Sequence, residues 1–350
     1  MDRTEPAEHR FRSALERMPP DQPILALSHN DADGLAAGAL LVRGLRRLGR
    51  EISIRLVGRG ESPWSPAIRD DLSRHALGGL IVTDLGVRPQ PLRPDTPTII
   101  IDHHVPQGMP ASATVISGYG LEPTPTSSLL VYRCLQAMTD ADDLLWLAAL
   151  GIIGDLGEKA PFEELAEARS RFGAKVLREA TSLINAPRRS SSGDATPALD
   201  LLMKVRDPGE IASGEHPETA RLIEAKHEVK QAVDAGRRVA PRFAGSVALI
   251  LLHSRCQIHP LIAQSWTGRL RRNIVIAANT GFREGYVHFA VRSATGQNLI
   301  AFLRDKAPAG AEDDEAYGNG HEQATGGALK LDMWRDFLSN LGFPEHPYPA

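Results

Sequence analysis

Three short apolar segments in the first part of the chain each run directly into acidic or histidine residues. Residues 25–27 lead into His29-Asn30-Asp31-Ala32-Asp33-Gly34, residues 80–82 into Thr83-Asp84, and residues 98–101 into Asp102-His103-His104. Continuous apolar runs of this length are typical of strands that are buried on both faces of a parallel sheet. Because ligands bind such sheets outside the carboxyl ends of the strands, we expect these polar residues to converge at one site.

The sequence around these segments predicts a doubly wound α/β domain. A helical pattern over residues 34–48 follows the first apolar segment, and residues 52–56 alternate as in a strand. Two further helical patterns lie near residues 127–138 and 142–153. Strands that alternate with helices in this way predict a mainly parallel sheet with helices on both faces.

The second half of the chain predicts a smaller α/β domain. Residues 186–193, Ala-Pro-Arg-Arg-Ser-Ser-Ser-Gly, break the apolar periodicity, and a charged helical pattern covers residues 218–230. Strand patterns return at residues 246–253, 274–278 and 286–293, with helical patterns at 260–270 and 297–305. A chain of 350 residues exceeds the roughly 250–300 at which a single core stops growing. We assign residues 1–185 to the first domain, 186–240 to a linker and connector helix, and 241–350 to the second domain.

The side chains at the strand ends have the chemistry of a metal centre. Carboxylates gathered at one place repel one another, and bound cations remove that repulsion. A set that mixes carboxylate and imidazole ligands suits borderline ions such as Mn²⁺ better than Ca²⁺. The number of candidate ligands exceeds what one ion needs, which favours two ions about 3.5–4 Å apart. The set comprises His29, Asp31, Asp33, Asp84, Asp102, His103 and His104.

Two of these acidic residues have alternative interpretations. Asp84 could be a helix N-cap instead of a bridging metal ligand, because aspartate is favoured at that position. Asp102 could bind metal itself, or it could orient one of the neighbouring imidazoles, as carboxylates often do for metal-bound histidines. The spacing of the motif is compatible with either role.

Taken in order, these motifs resemble those of the DHH phosphoesterases. This family includes RecJ-type single-strand exonucleases, nanoRNases, cyclic-dinucleotide phosphodiesterases, exopolyphosphatases and family II pyrophosphatases. The motifs that carry the resemblance are His29-Asn30-Asp31-Ala32-Asp33-Gly34, Asp84, Asp102-His103-His104, and Asp155 in Gly151-Ile152-Ile153-Gly154-Asp155. A later segment, Gly318-Asn319-Gly320-His321 with Ala324, Gly326 and Gly327, resembles the glycine-rich signature of the DHHA1 domain, in which backbone amides could surround an anion.

The resemblance implies roles for individual residues. It implies two Mn²⁺ ions, with Mg²⁺ as an alternative, in a catalytic first domain that is separated by a cleft from a DHHA1-like substrate-binding domain. The implied metal ligands are His29, Asp31, Asp33, Asp84, His103 and Asp155, with His104 and Asp102 in catalytic roles. The implied substrate-binding residues are Arg292, Ser293, Gly318, Gly320, His321, Gly326 and Gly327.

The function that the resemblance implies is a Mn²⁺-dependent phosphodiesterase acting on short oligonucleotides or single-stranded nucleic-acid ends. Alternatives are a RecJ-like single-strand DNA exonuclease, or a pyrophosphatase or exopolyphosphatase that uses the same metal site. A binding protein without activity would be expected to have lost ligands, and none of the core motif positions is lost. The net charge of −3 argues against broad coating of duplex DNA by a basic surface.

Composition indicates where in the cell the protein is expected. No apolar run approaches the roughly 20 residues that span a bilayer, and the first residues are polar. Two cysteines at positions 134 and 256 have no metal-like spacing, so a disulfide framework or structural zinc is not expected. We therefore expect a cytoplasmic protein that does not bind membranes, and we allow for a homodimer.

Overall fold

The computed structural model describes residues 5–311 and 317–343, which form two compact units. The first unit contains residues 1–188 and 193–224, and the second contains residues 189–192 and 225–350. Residues 193–224, which the sequence pattern assigned to the linker, therefore pack with the first unit. None of the helices in the described ranges is long and apolar enough to cross a membrane.

The first unit is built on a five-stranded parallel sheet with the order β2-β1-β3-β4-β5. Its strands are β1 (Ile24–His29), β2 (Ile52–Val57), β3 (Gly79–Thr83), β4 (Thr98–Asp102) and β5 (Ala113–Ser117). Its helices are α1 (Ala7–Glu16), α2 (Ala32–Arg47), α3 (Pro66–Ser73), α4 (Ser127–Gln136), α5 (Leu145–Leu156), α6 (Glu163–Phe172), α7 (Ala174–Ile184), α8 (Thr196–Lys204) and α9 (Pro208–Ser213).

Alternate residues of β1 enter two different cores. Ile24 and Ala26 pack in the larger core with α1, α2, α4 and α5, whereas Leu25 and Leu27 pack in a second core with Ile68 of α3. A strand that is apolar on both faces therefore has helices on both sides of its sheet. This confirms the doubly wound α/β fold that the apolar runs predicted.

The second unit contains a six-stranded mixed sheet with the order β10-β11-β9-β8-β7-β6. Its strands are β6 (Arg242–Ala244), β7 (Val247–Leu252), β8 (Ile274–Arg283), β9 (Tyr286–Ser293), β10 (Tyr317–His321) and β11 (Ala324–Lys330). Its helices are the later part of α10 (Pro217–Gly236), α11 (His259–Thr267), α12 (Leu299–Asp305) and α13 (Leu331–Asn340). Its two cores, one against α12 and α13 and one against α10 and α11, confirm the predicted second α/β domain.

One local prediction of the sequence pattern was wrong. The helix expected to end near residue 153 continues as α5 to Leu156, so Gly154 and Asp155 lie inside its last turn. The helix ends at Gly157, whose φ of 84° is in the left-handed region that glycine adopts without strain. Asp155 is therefore held on a helix and not on the following loop.

Candidate metal centre

The sheet of the first unit reverses its direction of growth at β1. Strand β2 lies on one side of β1, and β3, β4 and β5 follow on the other side. Such a reversal leaves an open crevice at the carboxyl ends of the strands, where ligands bind. His29 ends β1, Asp84 follows β3, and Asp102 ends β4, so the structure brings the three predicted motifs to this edge.

The turn after β1 is shaped by a helix cap. Asp31 is the N-cap of α2, and its Oδ1 accepts a hydrogen bond from the backbone N–H of Gly34 at 3.1 Å. A Cβ on residue 34 would lie 2.4 Å from the carbonyl oxygen of His29, so only glycine allows the turn to be this tight. The Nδ1 atom of His29 lies 3.1 Å from Oδ2 of Asp31. The short motif thus places two metal-capable groups side by side.

Asp84 lies at the middle of the centre in an unfavourable backbone conformation. Its φ is 62°, in the left-handed region that costs residues with a Cβ roughly 1–2 kcal/mol. Its carboxylate lies between two imidazoles, with Oδ2 3.5 Å from Nδ1 of His29 and Oδ1 3.4 Å from Nε2 of His103. Strained residues of this kind cluster at functional sites, where the surrounding structure holds them in place.

Two metal-capable triads share Asp84. One consists of His29, Asp31 and Asp84, and the other of Asp84, His103 and His104. Within each triad the ligand atoms lie within 4.8 Å of one another. The residues present therefore fit divalent ions, since each triad offers both carboxylate oxygen and imidazole nitrogen.

The electrostatics of the centre favour positive charge. Burial alone would lower the pKa of His29, but the charge and hydrogen bond of Asp31, together with Asp84, raise it to about 10. Against the same effect of burial, Asp84 raises the pKa of His103 to about 9. The imidazoles thus take up protons among the buried carboxylates, in the place where bound cations would otherwise balance the charge.

Asp33 is held by the N-terminus of a neighbouring helix. Its Oδ2 accepts from the backbone N–H of Ser127 at 2.8 Å, and its Oδ1 accepts from the backbone N–H of Ser128 at 3.0 Å and from its hydroxyl. Burial, followed by the charge of Asp84, raises the pKa of Asp33 to about 7. The carboxylate is thus anchored to α4, and it lies outside the two triads defined above.

Asp102 is fully engaged in orienting its surroundings. It is completely buried, its Oδ2 accepts from the backbone N–H of Gly86 at 2.7 Å, and its Oδ1 accepts from that of His104 at 2.7 Å. The same Oδ1 lies 3.1 Å from Nδ1 of His104. Burial would lower the pKa of His104, but its hydrogen bond to Asp102 and the charges of Asp102, Asp84 and Asp155 raise it to about 10. These contacts favour the orienting role over direct metal binding.

Asp155 approaches the centre from the last turn of α5. Its Oδ2 lies 3.3 Å from Nε2 of His103. The same nitrogen atom of His103 also faces Asp84. Burial raises the pKa of Asp155, although the charge of His103 opposes the shift. All eight residues predicted for the metal and catalytic roles therefore meet at one edge of the sheet, although they come from four separate segments of the chain.

The second unit brings most of the predicted substrate-binding residues onto neighbouring strands. Arg292 and Ser293 end β9, and Arg292 pairs in register with Ala324 of β11. The guanidinium of Arg292 donates through Nη1 to the carbonyl oxygens of Val291 and Thr325. No carboxylate in residues 5–311 or 317–343 forms an ion pair with it, and burial lowers its pKa.

The glycine-rich segment is a β-hairpin. Gly318 and Gly320 lie in β10, Gly326 and Gly327 lie in β11, and the exposed His321 pairs with Ala324 at the hairpin end. A Cβ on residue 326 would lie 2.3 Å from the carbonyl oxygen of Phe289, so close packing of β11 on β9 requires glycine there. The segment expected to surround an anion with its backbone is thus a pair of hydrogen-bonded strands beside Arg292.

Three solved structures have folds similar to this chain. RecJ from Thermus thermophilus in complex with Mn²⁺ has a TM-score of 0.71 and 22% identity over 98% of this chain and 55% of that chain. Exonuclease RecJ bound to manganese has a TM-score of 0.65 and 21% identity over 99% and 95% of the two chains. The DHH domain of a member of a ribosomal protein family has a TM-score of 0.68 and 15% identity over 96% and 88%.

The chain has the DHH fold. This finding confirms, at the level of the fold, the resemblance that the ordered motifs indicated. The chain spans about half the length of the Thermus RecJ chain. No protein-family model matches the sequence, and a comparison with curated proteins finds no significant relative.

Two features of this DHH fold were missed in the sequence. Ser127 and Ser128, which bind Asp33, follow Thr126, whose hydroxyl caps α4 by accepting from the N–H of Leu129. The sequence pattern placed the start of this helix correctly near residue 127. It did not show that the N–H groups at this helix start would bind Asp33. Arg188, whose Nη1 lies 3.5 Å from Oδ2 of Asp31, belongs to a run of arginine and serine with no pattern that marks it.

Proposed function

We propose that the protein is a Mn²⁺-dependent phosphodiesterase that hydrolyses short oligonucleotides or the ends of single-stranded nucleic acids. The observation that carries this proposal is the pair of metal-capable triads that share Asp84 at the carboxyl ends of adjacent parallel strands. Two neighbouring ions are the usual arrangement for in-line displacement at phosphorus. The likeness in fold to two RecJ structures with bound manganese supports the choice of metal.

The chain's own residues divide the work between holding ions and moving a proton. His29 and Asp31 would hold one ion and His103 the other, with Asp84 holding both. Asp155, which lies 3.3 Å from His103, would join the second ion, and the charge of Asp84 raises the pKa of the nearby Asp33. When bound, divalent ions supply Lewis acidity and an activated water nucleophile. His104 would donate a proton to the leaving oxygen, because Asp102 orients the ring through Nδ1 and a protonated imidazole carries an N–H at each of its two nitrogens.

Arg292 bears on the class of substrate. A half-buried guanidinium that pairs with no carboxylate in residues 5–311 or 317–343 is costly, and a bound phosphate would offset that cost with charge-assisted hydrogen bonds. Arg292 also lies in register with the glycine-rich hairpin, where backbone can approach a ligand closely. These features favour a substrate that carries a phosphate beyond the scissile one, as an oligonucleotide does.

The proposal predicts a metal-dependent substrate profile. Purified protein with Mn²⁺ should cleave short labelled RNA or DNA in a panel that also contains pAp, linear and cyclic dinucleotides, and pyrophosphate. Chelation should abolish turnover and added Mn²⁺ should restore it, because the buried carboxylates and imidazoles are the ligands of the reaction centre. Full turnover in the presence of a chelator would contradict the proposal.

The same panel distinguishes the alternative functions. Release of phosphate from pyrophosphate without cleavage of any diester would identify a pyrophosphatase that uses the same centre. Progressive shortening of long single-stranded DNA in preference to short oligonucleotides would identify the RecJ-like exonuclease. The likeness to RecJ structures keeps the second alternative close to the main proposal.

Replacing Arg292 by alanine should impair substrate grip without changing metal binding. Loss of a charge-assisted hydrogen bond typically costs about 1.5–3 kcal/mol, or roughly ten- to a hundred-fold in kcat/KM for oligonucleotides. Hydrolysis of bis-p-nitrophenyl phosphate, which offers no second phosphate, should fall less. Arg283→Ala is a matched control, since Arg283 lies exposed over the ring of Tyr286 in the same unit.

Equal losses on the two substrates would contradict the role of Arg292 in substrate grip. Weaker Mn²⁺ binding by the Arg292→Ala variant, measured by calorimetry, would show instead that the residue belongs to the metal centre. Both measurements are made on the full chain with the Arg283→Ala variant in parallel.

A further inference from the structure

Exposed apolar side chains are concentrated around the metal centre. Of the eight large apolar residues that are exposed in residues 5–311 and 317–343, five lie in the segments that follow β4, β5 or Asp155. The five residues are Val105, Met109, Tyr119, Leu121 and Leu156. Single exposed apolar side chains are ordinary, but a concentration of them beside a charged site marks a surface that binds part of a ligand.

Tyr119, the aromatic member of this group, lies beside the segment that carries the histidines of the centre. Ser117, the last residue of β5, pairs in register with Asp102 at the end of β4, and the N–H of Gly118 donates to the carbonyl oxygen of Asp102 at 2.9 Å. Neighbouring strands lie about 4.8 Å apart. The turn that begins at Gly118 therefore starts next to the segment that contains His104.

The turn that carries Tyr119 is held on both sides. The carbonyl oxygen of Gly118 accepts from the N–H of Leu121 at 3.1 Å, and Gly120 between them has a φ of 74°, in the left-handed region that favours glycine. A Cβ on residue 118 would lie 2.6 Å from the carbonyl oxygen of Pro125, just before the start of α4. The ring of Tyr119 is thus carried by a backbone that packs between β4 and the start of α4.

The chemistry of this surface differs from that of the triads. Metal ions and their ligands recognise a phosphate but nothing attached to it. A nucleobase has a flat face on which an aromatic ring can stack, and a tyrosine ring loses little conformational entropy in doing so. Tyr119 is 44% exposed, so a ligand at the edge of the centre can reach it. Pyrophosphate and polyphosphate have no group that would use this surface, whereas a nucleotide has one.

We propose that Tyr119 is a specificity-determining residue whose ring stacks on the nucleobase next to the scissile phosphodiester. This inference rests on the proposed function for the identity of the substrate. It assigns to the first unit a contact with the base, which is separate from the phosphate contact attributed to Arg292 in the second unit. The contact should depend little on base identity, because every base has a π-face.

The experiment compares Tyr119→Ala and Tyr119→Phe with the parent protein on two matched substrates. One is a short oligonucleotide, and the other is the same chain with an abasic sugar at every position; kcat and KM are measured on each at saturating Mn²⁺. Calorimetry gives the affinity for Mn²⁺, and then the affinities of the Mn²⁺-loaded protein for adenosine monophosphate and for inorganic phosphate. Phe243→Ala is the control, because Phe243 is an exposed aromatic residue on β6, at the edge of the second sheet opposite the glycine-rich hairpin.

The expected result is a separation of base binding from phosphate binding. Tyr119→Ala should lose roughly ten-fold or more in kcat/KM on the oligonucleotide, mainly through KM, and little on the abasic chain, where the stacking contact is already absent. It should bind adenosine monophosphate about ten-fold more weakly, with unchanged affinities for inorganic phosphate and Mn²⁺. Tyr119→Phe keeps the ring and should retain most of the parent's activity and affinity. The control variant should match the parent throughout.

Three results would overturn the proposal. Equal losses on the two substrates, or no loss on either, would show that Tyr119 does not contact the base. A loss in Tyr119→Phe as large as that in Tyr119→Ala would assign the effect to the hydroxyl group and not to stacking. Dissociation of an oligomer by Tyr119→Ala, measured by light scattering, would show that a second copy of the chain covers the ring.

The proposed function and this inference can fail separately. If the parent protein cleaved no phosphodiester, the proposed function would fail. The affinities of the parent and of Tyr119→Ala for adenosine monophosphate and inorganic phosphate would still decide the role of Tyr119.

Discussion

Replacing Asp84 by alanine is expected to lower kcat/KM on a phosphodiester substrate by roughly a thousand-fold or more, equivalent to about 4 kcal/mol in the activation barrier. The reason is geometric, because Asp84 is the residue that both metal-capable triads share. Without it, neither triad is complete and the spacing of two ions is no longer fixed. Steady-state kinetics at saturating Mn²⁺ measure the loss, and calorimetry should show weaker metal binding.

The backbone at Asp84 allows a second comparison. Glycine at position 84 removes the same carboxylate as alanine, but it also relieves the φ of 62° that a Cβ disfavours. The greater entropy of glycine in the unfolded chain lowers stability, but relief of the backbone strain outweighs it. Asp84→Gly should therefore be more stable than Asp84→Ala by about 1 kcal/mol in urea unfolding. Both variants should be inactive, because strain and catalysis depend on different atoms of the residue.

Asp143→Ala serves as the control for loss of an aspartate. Asp143 forms an exposed pair with Arg47 just before α5, at the opposite end of that helix from Asp155, and its removal should leave kcat/KM unchanged. Normal turnover by Asp84→Ala at saturating Mn²⁺ would contradict the bridging role. Equal stability of the glycine and alanine variants would contradict the claim that the backbone at residue 84 is strained.

The parallel sheet could be predicted from the sequence because its signal is local. An apolar run that ends in His29, Asp84 or Asp102 identifies both a buried strand and the end at which ligands gather. The convergence of these residues then follows from the topology of a parallel sheet, in which the carboxyl ends of all strands lie along one edge. Ordered motifs thus sufficed to place most of the centre.

The features that could not be predicted depend on contacts between distant segments. Asp33 has the same spacing signal as Asp31, yet only the position of α4 shows that backbone N–H groups take up both of its oxygens. The left-handed conformation of Asp84 could not be predicted from its residue type, since aspartate is also common in turns and caps. Arg188 reaches Asp31 only because α7 packs where it does.

The apparent affinity of the metal-free protein for Mn²⁺ is expected to rise steeply between about pH 6 and pH 8, because metal ligands must be deprotonated. His29 and His103 have pKa values of about 10 and about 9 in the metal-free fold, so both rings are protonated over this range. Each proton released should raise the apparent association constant about ten-fold per pH unit, and two should raise it about a hundred-fold. Calorimetry in buffers with different ionisation enthalpies counts these protons directly.

The stability of the metal-free protein should change with pH in the opposite direction. A histidine whose pKa is raised on folding stabilises the fold fully below its ordinary value of 6.5, and this contribution is lost as the pH rises through 9 to 10. The raised pKa of Asp33 also lowers stability as the pH rises. The carboxyl ionises readily in the unfolded chain but only at a pH of about 7 in the folded protein, so the fold loses stability on the way up to that pH. Thermal unfolding with chelator should therefore show a falling Tm from about pH 6 to pH 9, whereas saturating Mn²⁺ should reverse the trend.

A pair of histidine variants assigns these protons to residues. His29→Asn should reduce the number of protons released on Mn²⁺ binding by about one, because its ring is the ligand that exchanges a proton for the ion. His75→Asn should leave the number unchanged, since His75 is half exposed and faces Asp71 on the surface of the first unit. Mn²⁺ binding that is independent of pH in the parent protein would show that the imidazoles of the centre do not bind the metal, and the carboxylates alone would then have to hold it.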